Sequence, residues 1–172
     1  MRKGYIQLYT GNGKGKTTAA IGLALRAIGA GLNVFLGQFA KHCGSSEIEA
    51  LKIYKDKIKI KAYGSGRFII GKPDINEIKL ASDGIKDAHC EMMSGKYDII
   101  ILDEAAVAVS LGLISSGELL QFVKQKPQNV ELVITGRNAP EELIDAADLV
   151  TEMKEIKHYY TSGVNARTGI EM

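Results

Sequence analysis

Tryptophan is absent from the 172 residues, and proline (three), cysteine (two) and histidine (three) are scarce. The two cysteines, Cys43 and Cys90, form no CxxC pair, which argues against a disulfide framework and against a thiolate zinc site. Both read as free thiols of a reducing cytoplasm. His42, His89 and His158 have no metal-ligand spacing, and His89, inside a helical stretch, reads as structural or solvated. Neither sign of charge dominates: 22 Lys and Arg against 20 Asp and Glu leave a net +2, so composition points to no nucleic-acid and no membrane partner. Lys52, Lys55, Lys57, Lys59 and Lys61 do form a basic run, but it suits the solvated face of a helix and an edge strand better than a nucleic-acid patch. No apolar run is long enough to span a bilayer, and Met1-Arg2-Lys3-Gly4 leads straight into a strand, with no signal peptide expected. Glycine, by contrast, is plentiful at 19 residues, the mark of tight turns and close backbone approaches. The length suits one α/β domain over residues 1–172.

Apolar patterning gives the order of elements. Residues 5–9 alternate and are rich in β-formers, predicting a first strand. Ala20, Leu23, Ala24, Ala27 and Ile28 recur at helical spacing, and Gly29 and Gly31 close that helix. Residues 33–39 predict a second strand, completing a βαβ unit of the usual right-handed kind. Residues 47–54 predict a helix, 57–63 a strand, 64–68 a loop, and 74 to about 93 a longer helix. Tyr97-Asp98-Ile99-Ile100-Ile101-Leu102-Asp103 is a continuous apolar run ending in acid, the pattern of a parallel strand buried on both faces. Residues 130–135 predict another strand, Pro140 an early helix position, and 148–153 a short last strand. The tail from Lys157 has no clear periodicity. Strands alternating with helices imply an α/β fold, a mostly parallel central sheet with helices on both faces.

Between the first strand and the first helix stands Gly11-Asn12-Gly13-Lys14-Gly15-Lys16-Thr17-Thr18. This is a variant of the phosphate-binding G-x-x-x-x-G-K-[ST] loop, with Thr10 at the position of the first glycine. Its glycines let backbone N–H groups turn inward around an anion, and the following helix aims its positive end at the same place. Lys16 can pair with phosphate oxygens, Lys14 adds a second cation, and the Thr17 hydroxyl can bind Mg²⁺. A plain glycine turn is the bland alternative; the flanking strand and helix and the closing Lys-Thr decide against it. Asp103 and Glu104 end an apolar strand and so emerge at the C-terminal edge of a parallel sheet, beside that loop. Taken alone they are a strand end meeting water; beside a phosphate loop they are candidate Mg²⁺ ligands. Arg137 follows a strand at the same edge and is a candidate for phosphate or substrate contact, with a surface role as the alternative.

Four stretches together resemble the P-loop-type ATP:corrinoid (cob(I)alamin) adenosyltransferases. They are Tyr9–Ala20, with threonine before the glycines; Gln38-Phe39-Ala40-Lys41; Leu102-Asp103-Glu104; and the run from Ile134-Thr135-Gly136-Arg137 through Ala147–Glu152 and Lys157-His158 to Gly163-Val164, Ala166 and Gly169-Ile170-Glu171. Gly64-Ser65-Gly66-Arg67-Phe68-Ile69-Ile70 stands where better-known members carry a Phe and Trp pair. The resemblance implies a RecA-like P-loop NTPase fold. It also implies attack by the Co(I) of a corrinoid on C5′ of Mg-ATP with release of triphosphate. Lys14 and Lys16 would then be the catalytic cations, and ATP would lie reversed relative to ordinary P-loop enzymes. His158 would be a candidate on the substrate side, and Tyr159 and Tyr160 would cover an apolar ligand or simply pack. A homodimer, a flavodoxin-like reductase partner and a cytoplasmic location complete what the resemblance implies. A P-loop ATPase or kinase with another acceptor, and a non-catalytic ATP-binding relative, are the alternatives.

Overall fold

The computed structural model describes residues 3–40, 45–66, 69 and 71–171. Lys41, His42, Cys43, Arg67, Phe68 and Ile70, all named above, lie outside the described residues.

Six strands form one sheet: β1 (Ile6–Thr10), β2 (Val34–Phe39), β3 (Ile58–Tyr63), β4 (Ile99–Asp103), β5 (Glu131–Thr135) and β6 (Leu149–Glu152), in the spatial order β3-β2-β4-β5-β1-β6. The expectation of a mostly parallel sheet is exceeded, for every strand pairing is parallel. Parallel neighbours need crossovers, and helices supply them. The helices are α1 (Lys16–Gly29), α2 (Ser46–Leu51), α3 (Ile75–Met93), α4 (Ala105–Ser110), α5 (Ser116–Lys124) and α6 (Glu141–Ala146).

Strand parity sorts the core into two layers. Val34, Leu36, Ile99, Ile101 and Val133 pack with Ala20, Ile21, Ala24 and Ala27 of α1 and with Ile48 and Leu51 of α2. Their strand neighbours Phe35, Ile100, Leu102, Leu132 and Ile134 point the other way, onto α3, α4, α5 and Leu143 of α6. All residues of β2 and β4 are buried, which is why these strands read as unbroken apolar runs. The result is the three-layer P-loop NTPase fold of the RecA-like type.

Local signals set the helix ends. Asp74 caps α3 by accepting from the N–H groups of Asn76 and Glu77 at 2.8 and 2.9 Å. Ser115 and Glu118 form a reciprocal capping box at the start of α5, a pattern present in the sequence that the patterning above passes over. Pro140 is the N-cap residue of α6 rather than its first helical residue, where its missing N–H costs nothing. The basic run is largely accounted for. Lys59 and Lys61 pair with Asp87 and Glu91 of α3 across the edge strand, and Lys52 pairs with Glu49. Among the described residues no helix is long and apolar enough to cross a membrane.

Candidate functional site

The C-terminal ends of β1, β2, β4 and β5 converge below the N-terminus of α1. Parity places the polar side chains there. Val34, Leu36 and Gln38 share one face of β2; Ile99, Ile101 and Asp103 share that face of β4; Val133 and Thr135 share it on β5. Each strand thus switches from apolar to polar at its last α1-facing position.

These three polar residues form one buried cluster with Thr17 of α1. The Asp103 Oδ1 accepts from the Thr17 and Thr135 hydroxyls at 2.8 and 2.7 Å, and Oδ2 accepts from Gln38 Nε2 at 3.2 Å. Asp103, Thr135 and Gln38 are at most 1% exposed. Buried carboxyl oxygens need such donors in place of the water they have lost. The carboxylate also fixes the Gln38 amide, since the reverse orientation would set oxygen against oxygen. The Gln38 Oε1 is then left buried with no hydrogen-bond partner. Thr135 works twice, its hydroxyl also accepting from the Glu104 N–H at 2.9 Å. Glu104 adopts a left-handed backbone, φ 59°, which turns the chain out of β4 into α4.

Above this cluster lies a cavity of about 290 Å³. It is lined by Gly13, Lys14, Gly15, Lys16, Thr17, Thr18, Glu47, Glu104, Arg137, His158, Ile170 and Glu171. Most of the candidate residues are therefore brought together. Gly11 belongs to the loop but not to the lining, Asn12 is exposed, and Asp103 sits behind Thr17 rather than in the cavity. The Lys16 ammonium bends back over its own loop and donates to the Gly11 and Gly13 carbonyls, both at 2.7 Å. Gly11 has φ 92°, and a Cβ there would lie 2.6 Å from the Met153 carbonyl oxygen, so no larger residue fits where the loop meets the strand-six end. Gly13 N–H donates to that same carbonyl at 2.6 Å.

The segment after β6 closes the far side of the loop, through contacts that its lack of periodicity conceals. Lys14 Nζ donates to the Tyr159 hydroxyl at 3.1 Å and to Glu171 Oε1 at 2.9 Å. Arg167, the Tyr159 hydroxyl and Lys14 hold the Glu171 carboxyl well below the usual carboxylate range. In return the hydrogen bonds to Glu171 and Tyr159 raise Lys14 above the usual lysine value. Tyr159 thus packs under cations rather than covering a cavity, while Tyr160 is largely exposed. His158 lines the cavity, its Nδ1 accepting from the Tyr160 N–H. Arg167, Glu171, Gln38 and Thr135 are neighbours to which no sequence motif gave a role; strand parity would have revealed the last two.

Chemically, the site offers two lysines, an arginine and the N-terminus of α1 toward an anion, and hydroxyl and carboxylate oxygens toward a hard cation. No group of three or more His, Cys, Asp or Glu that could hold a metal alone occurs among the described residues. Any cation here would lean on Thr17, Asp103, Glu104 and the oxygens of a bound phosphate, as Mg²⁺ does.

Residues 2–172 match the family described as ATP:corrinoid adenosyltransferase BtuR/CobO/CobP. A corrinoid adenosyltransferase from a Sinorhizobium species is 35% identical, covering 98% of this chain and 80% of its own length. Corrinoid adenosyltransferases from Salmonella typhimurium (32% identical, 98% and 86% covered) and Pseudomonas aeruginosa (31%, 98% and 84%) are similar too. Among solved structures, the flagellar accessory protein FlaH from Methanocaldococcus jannaschii superposes with a TM-score of 0.62 at 13% identity, over 88% of this chain and 72% of its own. That likeness is one of fold.

Proposed function

The chain belongs to the ATP:corrinoid adenosyltransferase family, and we propose on that premise that it transfers the 5′-deoxyadenosyl group of ATP to the Co(I) of a reduced corrinoid and releases triphosphate. The observation that carries the reading is the single cavity in which a glycine loop, Lys14, Lys16, Thr17, Glu104 and Arg137 meet over the buried Asp103 cluster.

The reaction suits these residues. Co(I) attacks with its own electron pair, a Co–C bond forms, the C5′–O bond breaks, and the electron pair leaves on the triphosphate oxygen. The nucleophile carries no proton, so no general base is required. The protein has two tasks: to hold the partners close, and to stabilise a highly charged leaving group. Gly11, Asn12, Gly15 and Thr18 serve the second task through the loop backbone, and Gly13, whose N–H braces the loop on the Met153 carbonyl, by leaving the anion room to approach. Lys16 serves it by swinging from the loop carbonyls to phosphate oxygens, and Lys14 and Arg137 by facing the anion from either side. Thr17, Asp103 and Glu104 would hold Mg²⁺. The Thr17–Asp103 hydrogen bond and the unpartnered Gln38 oxygen support an oxygen-donor cation site there. When bound, the ion neutralises charge on the triphosphate.

We take residues 1–172 as a single nucleotide-binding domain. The homodimeric state, the flavodoxin-like reductase and the cytoplasmic location rest on the resemblance; the exposed free thiol of Cys90 suits a reducing compartment. Light scattering on the purified chain tests the dimer.

The activity test is direct. The protein is incubated with Mg-ATP and chemically reduced cobalamin, adenosylcobalamin is followed by absorbance, and the released phosphate species is identified. Adenosylcobalamin with triphosphate is expected. ADP without alkylation would point instead to an ATPase or kinase, and binding without turnover to a non-catalytic relative. Lys16→Ala should weaken ATP binding roughly 10- to 100-fold, the loss of a charge-assisted contact, while the circular dichroism spectrum is unchanged. Wild-type affinity in that variant would remove the loop from the mechanism.

A further inference from the structure

The donors around Glu171 form an anion site that is already filled by the protein itself. Its Oε1 accepts from Lys14 Nζ at 2.9 Å, from Arg167 Nη2 at 3.1 Å and from the Tyr159 hydroxyl. Its Oε2 accepts from the backbone N–H of Arg167 at 2.9 Å and from Arg167 Nε at 3.3 Å. Two cations and a hydroxyl therefore converge on one carboxylate oxygen. The two cations would repel one another without an anion between them. Both also lie over the Tyr159 ring, with Lys14 Nζ 5.8 Å and Arg167 Cζ 5.1 Å from its centroid, so the ring holds them facing the same point.

A phosphate oxygen has the acceptor chemistry of a carboxylate oxygen and more negative charge behind it. Lys14 and Glu171 both line the cavity that holds Lys16 and Thr17. A polyphosphate entering that cavity meets Glu171 as a like charge at the place where its own counter-charge stands. One of the two anions must yield.

We propose that Glu171 is a resident competitor: its carboxylate occupies a phosphate subsite built by Lys14, Arg167 and Tyr159, and binding of the polyphosphate expels it and recruits Arg167 as a further phosphate contact. The proposal rests on the reading of the loop as a phosphate cradle. It gives the tail a role in exchange: the same carboxylate that yields to the incoming polyphosphate returns to displace the triphosphate product. Solvent screens these charges, since the Lys14 and Arg167 side chains are 42% and 52% exposed, so the effect is moderate rather than a lock.

The test is calorimetric titration of the full chain with inorganic tripolyphosphate. Glu171→Gln keeps the shape of the side chain and removes its charge; it should bind tripolyphosphate roughly three- to tenfold more tightly than the wild type. Adding Arg167→Gln to Glu171→Gln should take back most of that gain, since the competitor is already gone and only the phosphate contact is lost. Glu171→Gln binding no more tightly than the wild type overturns the proposal, as does a second substitution without effect. Lys16→Ala run alongside separates the two levels. If it abolishes tripolyphosphate binding while Glu171→Gln changes nothing, the cradle stands and the competitor falls. If Lys16→Ala binds like the wild type, the cradle itself falls and the proposal with it.

Discussion

Thr135→Val should destabilise the protein more than Thr135→Ser, although valine is the better match in size and in strand propensity. The Thr135 hydroxyl is fully buried, donates to Asp103 Oδ1 at 2.7 Å and accepts from the Glu104 N–H at 2.9 Å. Valine removes both bonds. A hydrogen bond to a charged group contributes about 1.5–3 kcal/mol, and depriving a sequestered N–H of its acceptor costs about 1–3 kcal/mol. The two losses share one atom and are not additive, so a combined cost of about 2–4 kcal/mol is expected. Serine keeps the oxygen and loses one methyl group, about 1 kcal/mol with its small cavity. In a domain of this size each kcal/mol lowers Tm by about 2–4 °C. Valine should therefore melt about 5–15 °C below the wild type and serine only about 2–4 °C below it. Urea unfolding followed by circular dichroism, with calorimetry for Tm, measures both. A valine variant as stable as the serine variant would mean that the buried cluster beneath the loop contributes packing and not polarity, and the account of the Thr135 hydroxyl as the link between Asp103 and the Glu104 N–H would be wrong.

Glycine positions give a sign test. Gly136 has φ 145°, and a Cβ there would lie 2.7 Å from the Val107 nitrogen, so Gly136→Ala should cost about 1–3 kcal/mol and displace Arg137. Gly22, on the exposed face of α1 with nothing near its Cβ position, should instead gain about 0.5–1 kcal/mol as alanine; paired urea titrations check both signs. On α3, facing the edge strand, burial acts to raise Asp87 and Glu91, but the hydrogen bonds from Lys61, Lys59 and Tyr63 of β3 outweigh it and leave both below their ordinary values of 3.8 and 4.5. Carboxyls depressed in the folded state stabilise it above those values and cease to do so as pH falls below them. Unfolding titrations from about pH 7 to about pH 3 should therefore show an acid loss of stability that Asp87→Asn with Glu91→Gln reduces; an identical slope in the double variant would exclude this network as its source.

The strands were legible because a parallel sheet buried on both faces leaves unbroken apolar runs, as in Ile99–Leu102. The helix expected from 74 to about 93 is α3, whose buried residues Ala81, Ile85, Ala88 and Met92 recur at helical spacing. Helix α4 escaped notice because Ala105–Ser110 is short, small and apolar and follows β4 without a polar break. Helix α5 escaped although Ser115 and Glu118 announce it. The loop was legible because glycines and Lys-Thr are a local signature. Its supports were not, since a buried Thr135 or Gln38 becomes meaningful only when neighbouring strands are set in register: Gln38 lies opposite Asp103, and Leu102 opposite Ile134. The lid over the loop was the least legible part. Lys14 and Glu171 stand 157 residues apart, and no periodicity within either segment encodes their pairing.

That same closure has a consequence for the order in which the molecule comes into being. The strand carrying the loop, β1, is flanked in the sheet by β5 and β6, and its Ile6 N–H is held by Asp148, 142 residues later. During synthesis at about 5–20 residues per second, the first strand waits roughly 7–30 s for the neighbours on either side of it. Until then β2, β3 and β4 can pair among themselves while the glycine loop has no sheet beneath it and no Met153 carbonyl to brace it. Nucleotide can therefore contribute nothing to the early nascent chain; it can stabilise only a chain whose last strand has already emerged. The most recognisable segment of the sequence is among the first to be made and among the last to become a structure.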